Sequence, residues 1–296
     1  MSSKRPIIVI SDLHLGRSGM VESAAMIQPI IEAAGTLIVN GDTAELHVTE
    51  CRERAERELA DLRERCARAG TRLKLLAGNH DPNLVDDRHL QFDEGRVFIT
   101  HGDAIEESVA PWSGAAKRMR KQHRAFMAEL PEEFRQTLEA RFAACRSAAM
   151  REWDHDGDAG RPSTLLNMLL RPHKVARVLW YWATCNAQMD GFISEHAPES
   201  RLVLVGHSHR AGVFRRPQRT IINTGCYGFP GRPLGVVLDQ TGARVFRIQR
   251  HGEQWALDTS PIYTNQSVSV DPESVVDEPS PVNVDRTIEV AVETIA

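Results

Sequence analysis

The chain has 296 residues, 42% of them hydrophobic and 26% charged, with a formal net charge of −4. That length is ample to bury a core, and these fractions exclude a fibrous or wholly disordered chain. A charge of −4 spread evenly would argue against nucleic acid or an anionic membrane as a partner, so its distribution matters. The five cysteines, Cys51, Cys66, Cys145, Cys185 and Cys226, form no C-x-x-C pair. They point to reduced thiols in a cytoplasmic protein, not to a disulfide framework or structural zinc site. The amino terminus carries Lys4 and Arg5 but only a four-residue apolar run, Ile7 to Ile10. A secretory h-region needs roughly 7–15 apolar residues, so export is not expected.

In chain order, short apolar runs end abruptly in small, acidic or histidine residues. IIVI leads into Ser11-Asp12-Leu13-His14, LIVN into Gly41-Asp42, and LKLLA into Gly78-Asn79-His80-Asp81. VFIT leads into His101-Gly102-Asp103, and LVLV into Gly206-His207-Ser208-His209. Runs of this length bounded by polar turns predict buried strands. Helical stretches are predicted at Val21–Ala34 and at Glu50–Ala69, the latter dense in Arg and Glu. Strands alternating with helices give an α/β fold, in which sites gather at the carboxyl ends of the strands. Residues 219–250 contain RTIINTG, PLGVVLD and ARVFRIQR, which predict antiparallel strands forming a second sheet.

Between His101 and Gly206 no strand is predicted. Residues 112–151 hold nine Lys/Arg against four Glu, and residues 161–182 hold four Lys/Arg and no acid. Both read as helical, separated by the loop Asp154–Pro162, and together they predict a helical cap over the strand ends at about 104–196. Residues 165–184, LLNMLLRPHKVARVLWYWAT, are interrupted by Arg171, Pro172, His173, Lys174 and Arg177. They fall short of the roughly 20 apolar residues that span a bilayer. The main domain is expected over 1–266. Residues 267–296 read as an acidic, disordered tail, with a short β-type segment at Thr287–Thr294. Residues 268–296 hold seven acids and one base, so residues 1–267 carry a net charge of +2. The folded part suits an anionic partner that the whole-chain average hides.

The strand-end clusters collect His14, His80, His101, His207 and His209 beside Asp12, Asp42, Asn79 and Asp81. Imidazole with carboxylate suits a borderline divalent ion, Mn, Fe or Zn, better than calcium. In this order the clusters resemble the calcineurin-like metallophosphoesterase superfamily, whose motifs run D-x-H, G-D, G-N-H-D/E, H and G-H-x-H. The resemblance implies a four-layer α-β-β-α sandwich of two mixed sheets holding two divalent metal ions, Mn first among them. One ion would be held by Asp12, His14, Asp42 and His209, the other by Asp42, Asn79, His101 and His207. In-line attack of a metal-bridging hydroxide would then hydrolyse a phosphoester or pyrophosphate bond. The resemblance makes His80 the catalytic group at the phosphoryl or leaving oxygen, oriented by Asp81. Arg17 is a candidate phosphate contact, with a solvated arginine as the alternative.

The cap, the opening I-S-D-L-H-L-G, the G-D-x-x-E of residues 41–45 and the H-G-D of 101–103 are similar to the UDP-2,3-diacylglucosamine hydrolase branch. Well-known members have Arg where this chain has His80, and the chain is longer. This resemblance implies a nucleotide-lipid substrate and peripheral contact with the inner face of the membrane. Leu165, Leu169, Val175, Val178, Leu179, Trp180 and Trp182 would form an apolar wall, with Arg171, Lys174 and Arg177 facing headgroups. Ordinary core packing of the cap is the competing reading. Other readings are a general phosphodiesterase or phosphatase, a nuclease using the basic Lys117–Arg124 stretch, and a non-catalytic scaffold. A solvated helical face is favoured over a nucleic-acid grip for that stretch. The sequence leaves the oligomeric state open.

Overall fold

The computed structural model describes residues 5–153, 172–228 and 231–275. Contacts within the chain divide it into two units, one of residues up to 102 and from 197 to 275, the other within 103–196.

The first unit is built on two mixed sheets. In the first, β1 (Ile7–Ile10), β2 (Thr36–Asn40) and β3 (Arg72–Leu76) run parallel. Their crossovers are helical, as parallel pairing requires. The segment expected as one helix over Val21–Ala34 divides into a 3-10 turn at Ala24–Ile27 and α1 (Gln28–Ala33). Pro29 is the reason, since a residue without an N–H is at home only in a helix's first turn. Helix α2 (Thr49–Ala69) buries Ala55, Leu59, Leu62 and Cys66 at helical spacing and stops at Gly70, which has φ +62°. The outward faces of β1 and β2 pack Ile8, Ile10, Leu37 and Val39 against Ile27, Ile30 and Ile31 and against Leu59 and Leu62 of α2.

The second sheet runs β4 (His89–Phe92), β5 (Val97–Thr100), β6 (Leu202–Val205), β8 (Thr220–Asn223) and β7 (Gly212–Arg215). Strands β5, β6 and β8 are parallel. A second core lies between the sheets, where Ile7, Val9, Ile38 and Leu76 meet Val97, Ile99, Leu202, Leu204 and Ile222.

Two expectations need correction. Strands β9 (Leu234–Asp239) and β10 (Gly242–His251) form the antiparallel hairpin read from the sequence, but β9 pairs with β1. They extend the first sheet, with β11 (Gln254–Leu257) and β12 (Tyr263–Asn265) beyond them. Periodicity identifies a strand but not its neighbour. The acidic tail also starts later than composition suggested. Val268, Val270 and Val275 are buried in the core between the sheets, and Arg72 donates to the carbonyl of Val275. Residues 276–296, with the β-type segment at Thr287–Thr294, lie outside the described residues.

The second unit is helical: α3 (Ala116–Glu129), α4 (Leu138–Trp153) and α5 (Pro172–His196). Helix α5 buries Tyr181, Cys185, Met189 and Ile193, while Leu179 and Trp180 are each 57% exposed. The expected loop Asp154–Pro162 and Leu165, Leu169 and Arg171 lie outside the described residues. No described helix is long and apolar enough to cross a membrane.

Candidate metal centre

All the predicted metal-ligating residues, from Asp12 to His209, belong to the first unit, at the carboxyl ends of β1, β2, β3, β5 and β6. The loops after β1 and β2 are tied by their backbones: Asp12 N donates to Gly41 O (3.1 Å) and His14 N to Asp42 O (2.9 Å). Gly41, at φ +80°, lets this crossing happen, since a Cβ there would run into the His101 imidazole.

Three groups of potential ligands result among the described residues: Asp12, His14 and His209; Asp42, His101 and His207; and His14, Glu45 and His80, of which the first two consist of residues predicted as ligands. Asp42 connects those two: its Oδ2 lies 3.2 Å from His101 Nε2 and 3.7 Å from His14 Nε2. His209 Nε2 is 3.1 Å from Asp12 Oδ1 and 3.4 Å from His14 Nε2. Asp12, His14, Asp42, His207 and His209 all have positive φ, between 47° and 61°. Each such non-glycine residue costs of order 1–3 kcal/mol, a cost that recurs where a site must be held in one geometry.

Hydrogen bonds behind the rings set their tautomers. His101 Nδ1 donates to the carbonyl of Asn40 (2.9 Å), and His14 Nδ1 donates to Glu45 Oε2 (3.0 Å). Each ring therefore turns its Nε2 lone pair towards Asp42, the arrangement that metal-binding histidines use. Burial, then the neighbouring His80, lowers the pKa of His14, a shift in the direction that metal binding needs. Burial opposes the charge on Asp42, but His101, His80 and His14 outweigh it and hold this carboxyl well below its ordinary range. Asn79 Oδ1 is buried without a hydrogen-bond partner among the described residues. A buried amide oxygen in that state is costly unless something binds it. Converging imidazole nitrogens, two carboxylates and an orphaned amide oxygen are a donor set that fits borderline divalent ions.

His80 is 19% exposed at its side chain, and its Nδ1 donates to Glu45 Oε1 (2.7 Å). Its Nε2 is 3.9 Å from Asp42 Oδ2. The orienting carboxylate is thus Glu45, not Asp81 as the resemblance implied. Asp81 accepts backbone N–H groups from Gly78 (2.8 Å), Asp42 (3.2 Å), Thr43 (2.6 Å) and Ala44 (3.2 Å). Four donors fill a carboxylate, and here they lock the β2 and β3 loops together. Burial and then the Asp42 charge raise the pKa of Asp81 to about 6. Arg17, with a side chain 40% exposed, lies 3.3 Å from Glu45 Oε2.

Glu45, fully buried, is the main residue that sequence reasoning did not assign a role; it stood only as the last letter of G-D-x-x-E. His47 was also missed. It is buried, 3.0 Å from Glu45 Oε1, with its ring edge-on to His80 at 4.3 Å. Asn40 was another: its Nδ2 donates to Thr100 O (2.8 Å), tying β2 to the second sheet.

Two mixed sheets, with ligand groups gathered at their parallel strand ends, make up the architecture. The fold is an α/β arrangement of two mixed sheets with helices, as expected from the sequence. No family model matches the sequence. The UDP-2,3-diacylglucosamine hydrolase of Ralstonia nicotianae is 27% identical over 240 residues, 72% of this chain and 80% of that protein. Solved structures similar to this chain include vacuolar protein sorting 29 from Cryptosporidium parvum, at 10% identity and a TM-score of 0.42, over 88% of this chain and 97% of that one. A predicted phosphoesterase from Streptococcus pneumoniae is similar at 14% identity and a TM-score of 0.36, over 90% and 100%. A cold-active protein-tyrosine phosphatase from Shewanella gives 12% and 0.35, over 86% and 80%.

Proposed function

We propose that the chain is a metal-dependent phosphoesterase working with two divalent ions, one held by Asp12, His14, Asp42 and His209 and the other by Asp42, Asn79, His101 and His207. The observation that carries this reading is the aim of the ring nitrogens: His14 and His101 are both tied at Nδ1 and both turn Nε2 towards Asp42. Two such ions, when bound, neutralise phosphoryl oxygens and lower the pKa of an attacking water. Manganese is the first choice and iron or zinc the alternatives. His80, held at Nδ1 by an anionic carboxylate, carries a proton at Nε2 for the leaving oxygen. Glu45 keeps that ring in one orientation, and Asp81 keeps the loops beneath it in register. Arg17 is positioned to shield the Glu45 charge, with any phosphate contact secondary.

The substrate we infer is a nucleotide-linked lipid pyrophosphate, with the Ralstonia relative as the main support. Leu179 and Trp180, exposed on α5 beside exposed Arg177, supply an apolar and cationic surface suited to peripheral contact with an anionic membrane from the cytoplasmic side. The nuclease reading has less support. Arg120 pairs with Glu106 (2.9 Å) and Arg124 with Glu107 (2.7 Å), so part of the basic stretch on α3 is already neutralised.

A turnover screen tests this. Chelated protein reloaded with Mn should hydrolyse bis-p-nitrophenyl phosphate and, faster, a nucleotide-diphosphate lipid, with simple nucleotides and single-stranded DNA alongside. Asp42→Ala should abolish all turnover. Inactivity across Mn, Fe and Zn, or an active Asp42→Ala variant, would overturn the reading.

A further inference from the structure

The segment RTIINTG plays no part in the ligand set, yet its strand ends directly beneath it. Asn223, the last residue of β8, is 3% exposed. Its Oδ1 accepts Gly225 N (2.9 Å), which fixes the orientation of the amide. Its Nδ2 then donates both hydrogens, one to Gly206 O (2.6 Å) and one to Ser208 Oγ (2.9 Å). These two acceptors flank His207 in the chain. His207 and His209, at φ 61° and 56°, stand in a backbone region that non-glycine residues avoid. His207 belongs to the ligand group of Asp42 and His101, and His209 to that of Asp12 and His14. The next residue supports Asp12 in a similar way. Thr224 Oγ1 lies 2.6 Å from Ser11 Oγ, which in turn bonds Asp12 Oδ2.

We propose that Asn223 is a positioning residue for both halves of the metal centre: it clamps the strained Gly206–His209 loop so that His207 and His209 keep their aim. The proposal rests on the two-metal reading above. A loop with two left-handed histidines relaxes once its anchor is gone, and both rings move together. Outer partners of this kind typically contribute 10–100-fold in metal affinity. The substitution Asn223→Asp isolates the effect. It keeps the size and the acceptor for Gly225, removes both donated bonds, and sets a carboxylate oxygen against the Gly206 carbonyl.

The test measures Mn and Zn affinity by competition with a chromophoric chelator, together with the melting temperature of the metal-free chain. Wild type, Asn223→Asp and Ser208→Ala are compared. The expected result is a loss of 10–100-fold in affinity for both ions in Asn223→Asp, with a smaller loss in Ser208→Ala, which keeps the bond to Gly206. Equal affinities in wild type and Ser208→Ala together with a loss under threefold in Asn223→Asp would overturn it. So would a lowered metal-free melting temperature without a change in affinity. Should Asn223→Asp not fold, wild-type affinity in Ser208→Ala is the overturning result. A wild-type chain that binds no divalent ion sinks the two-metal reading itself, and this proposal with it.

Discussion

Substituting Glu45→Gln separates the structure's account of this site from the one the motifs alone suggest. Glu45 takes His14 Nδ1 on one oxygen (3.0 Å) and His80 Nδ1 on the other (2.7 Å). Glutamine has nearly the same shape but only one oxygen, so one of the two imidazoles must face an NH2 group. If that ring is His14, its proton moves to Nε2 and the lone pair aimed at the metal is lost. If it is His80, Nδ1 becomes an acceptor and the ring loses the anionic partner that supports its doubly protonated, acidic form. Either way one hydrogen bond to a charged group disappears, worth about 1.5–3 kcal/mol. At about 1.4 kcal/mol per decade this is a loss of roughly 10- to 150-fold. Which quantity falls tells which ring turned. A fall in Mn affinity by chelator competition points to His14, and a fall in kcat on bis-p-nitrophenyl phosphate at saturating Mn points to His80. If affinity and kcat both stay within threefold of wild type, Glu45 does not orient either ring and the reasoning fails.

Two further outcomes concern stability. Val270 is 1% exposed, so Val270→Ala should lower stability by roughly 2 kcal/mol, from two methyl groups at about 0.8 kcal/mol each plus a cavity contribution; an unchanged urea midpoint would mean that the segment after Gln266 does not dock. His123 is buried in the helical unit, and burial, then the charge of Arg141, lowers its pKa to about 4. The unfolded chain binds its proton nearer pH 6.5, so this residue's contribution is complete above that pH and is lost as pH falls towards 4. The melting temperature of wild type should therefore drop more steeply between pH 6.5 and 4 than that of His123→Leu, and parallel curves would exclude the effect.

The parts of the site that could be read from the sequence share a local signature. Asp12, Asp42, Asn79, His101 and His207 each stand within three residues of the end of a strand, and parallel strands bring such ends together whatever the loops do. Glu45, His47 and Asn40 carry no comparable mark. Their importance lies in contacts with residues up to 164 positions away, such as Asn40 Nδ2 on the carbonyl of Leu204, and no periodicity encodes a partner. The role of Asp81 was misread for the same reason: adjacency to His80 in the chain suggested a contact, while the β3 turn sends its carboxylate back to the N–H groups of Gly78 and of the β2 loop. The placement of β9 follows the same rule, since LGVVLD would fit the middle of either sheet and only its register with β1 decides. The tail is a different case. Ser267-Val268-Ser269-Val270 alternates with the period of two expected of a segment lying along a core, but its signal was averaged into 29 residues of acidic composition. Local patterning is therefore the better guide there, and the net charge of −4 misleads for the same reason: averaging across 1–267 and 268–296 conceals a mildly basic folded part behind an acidic end.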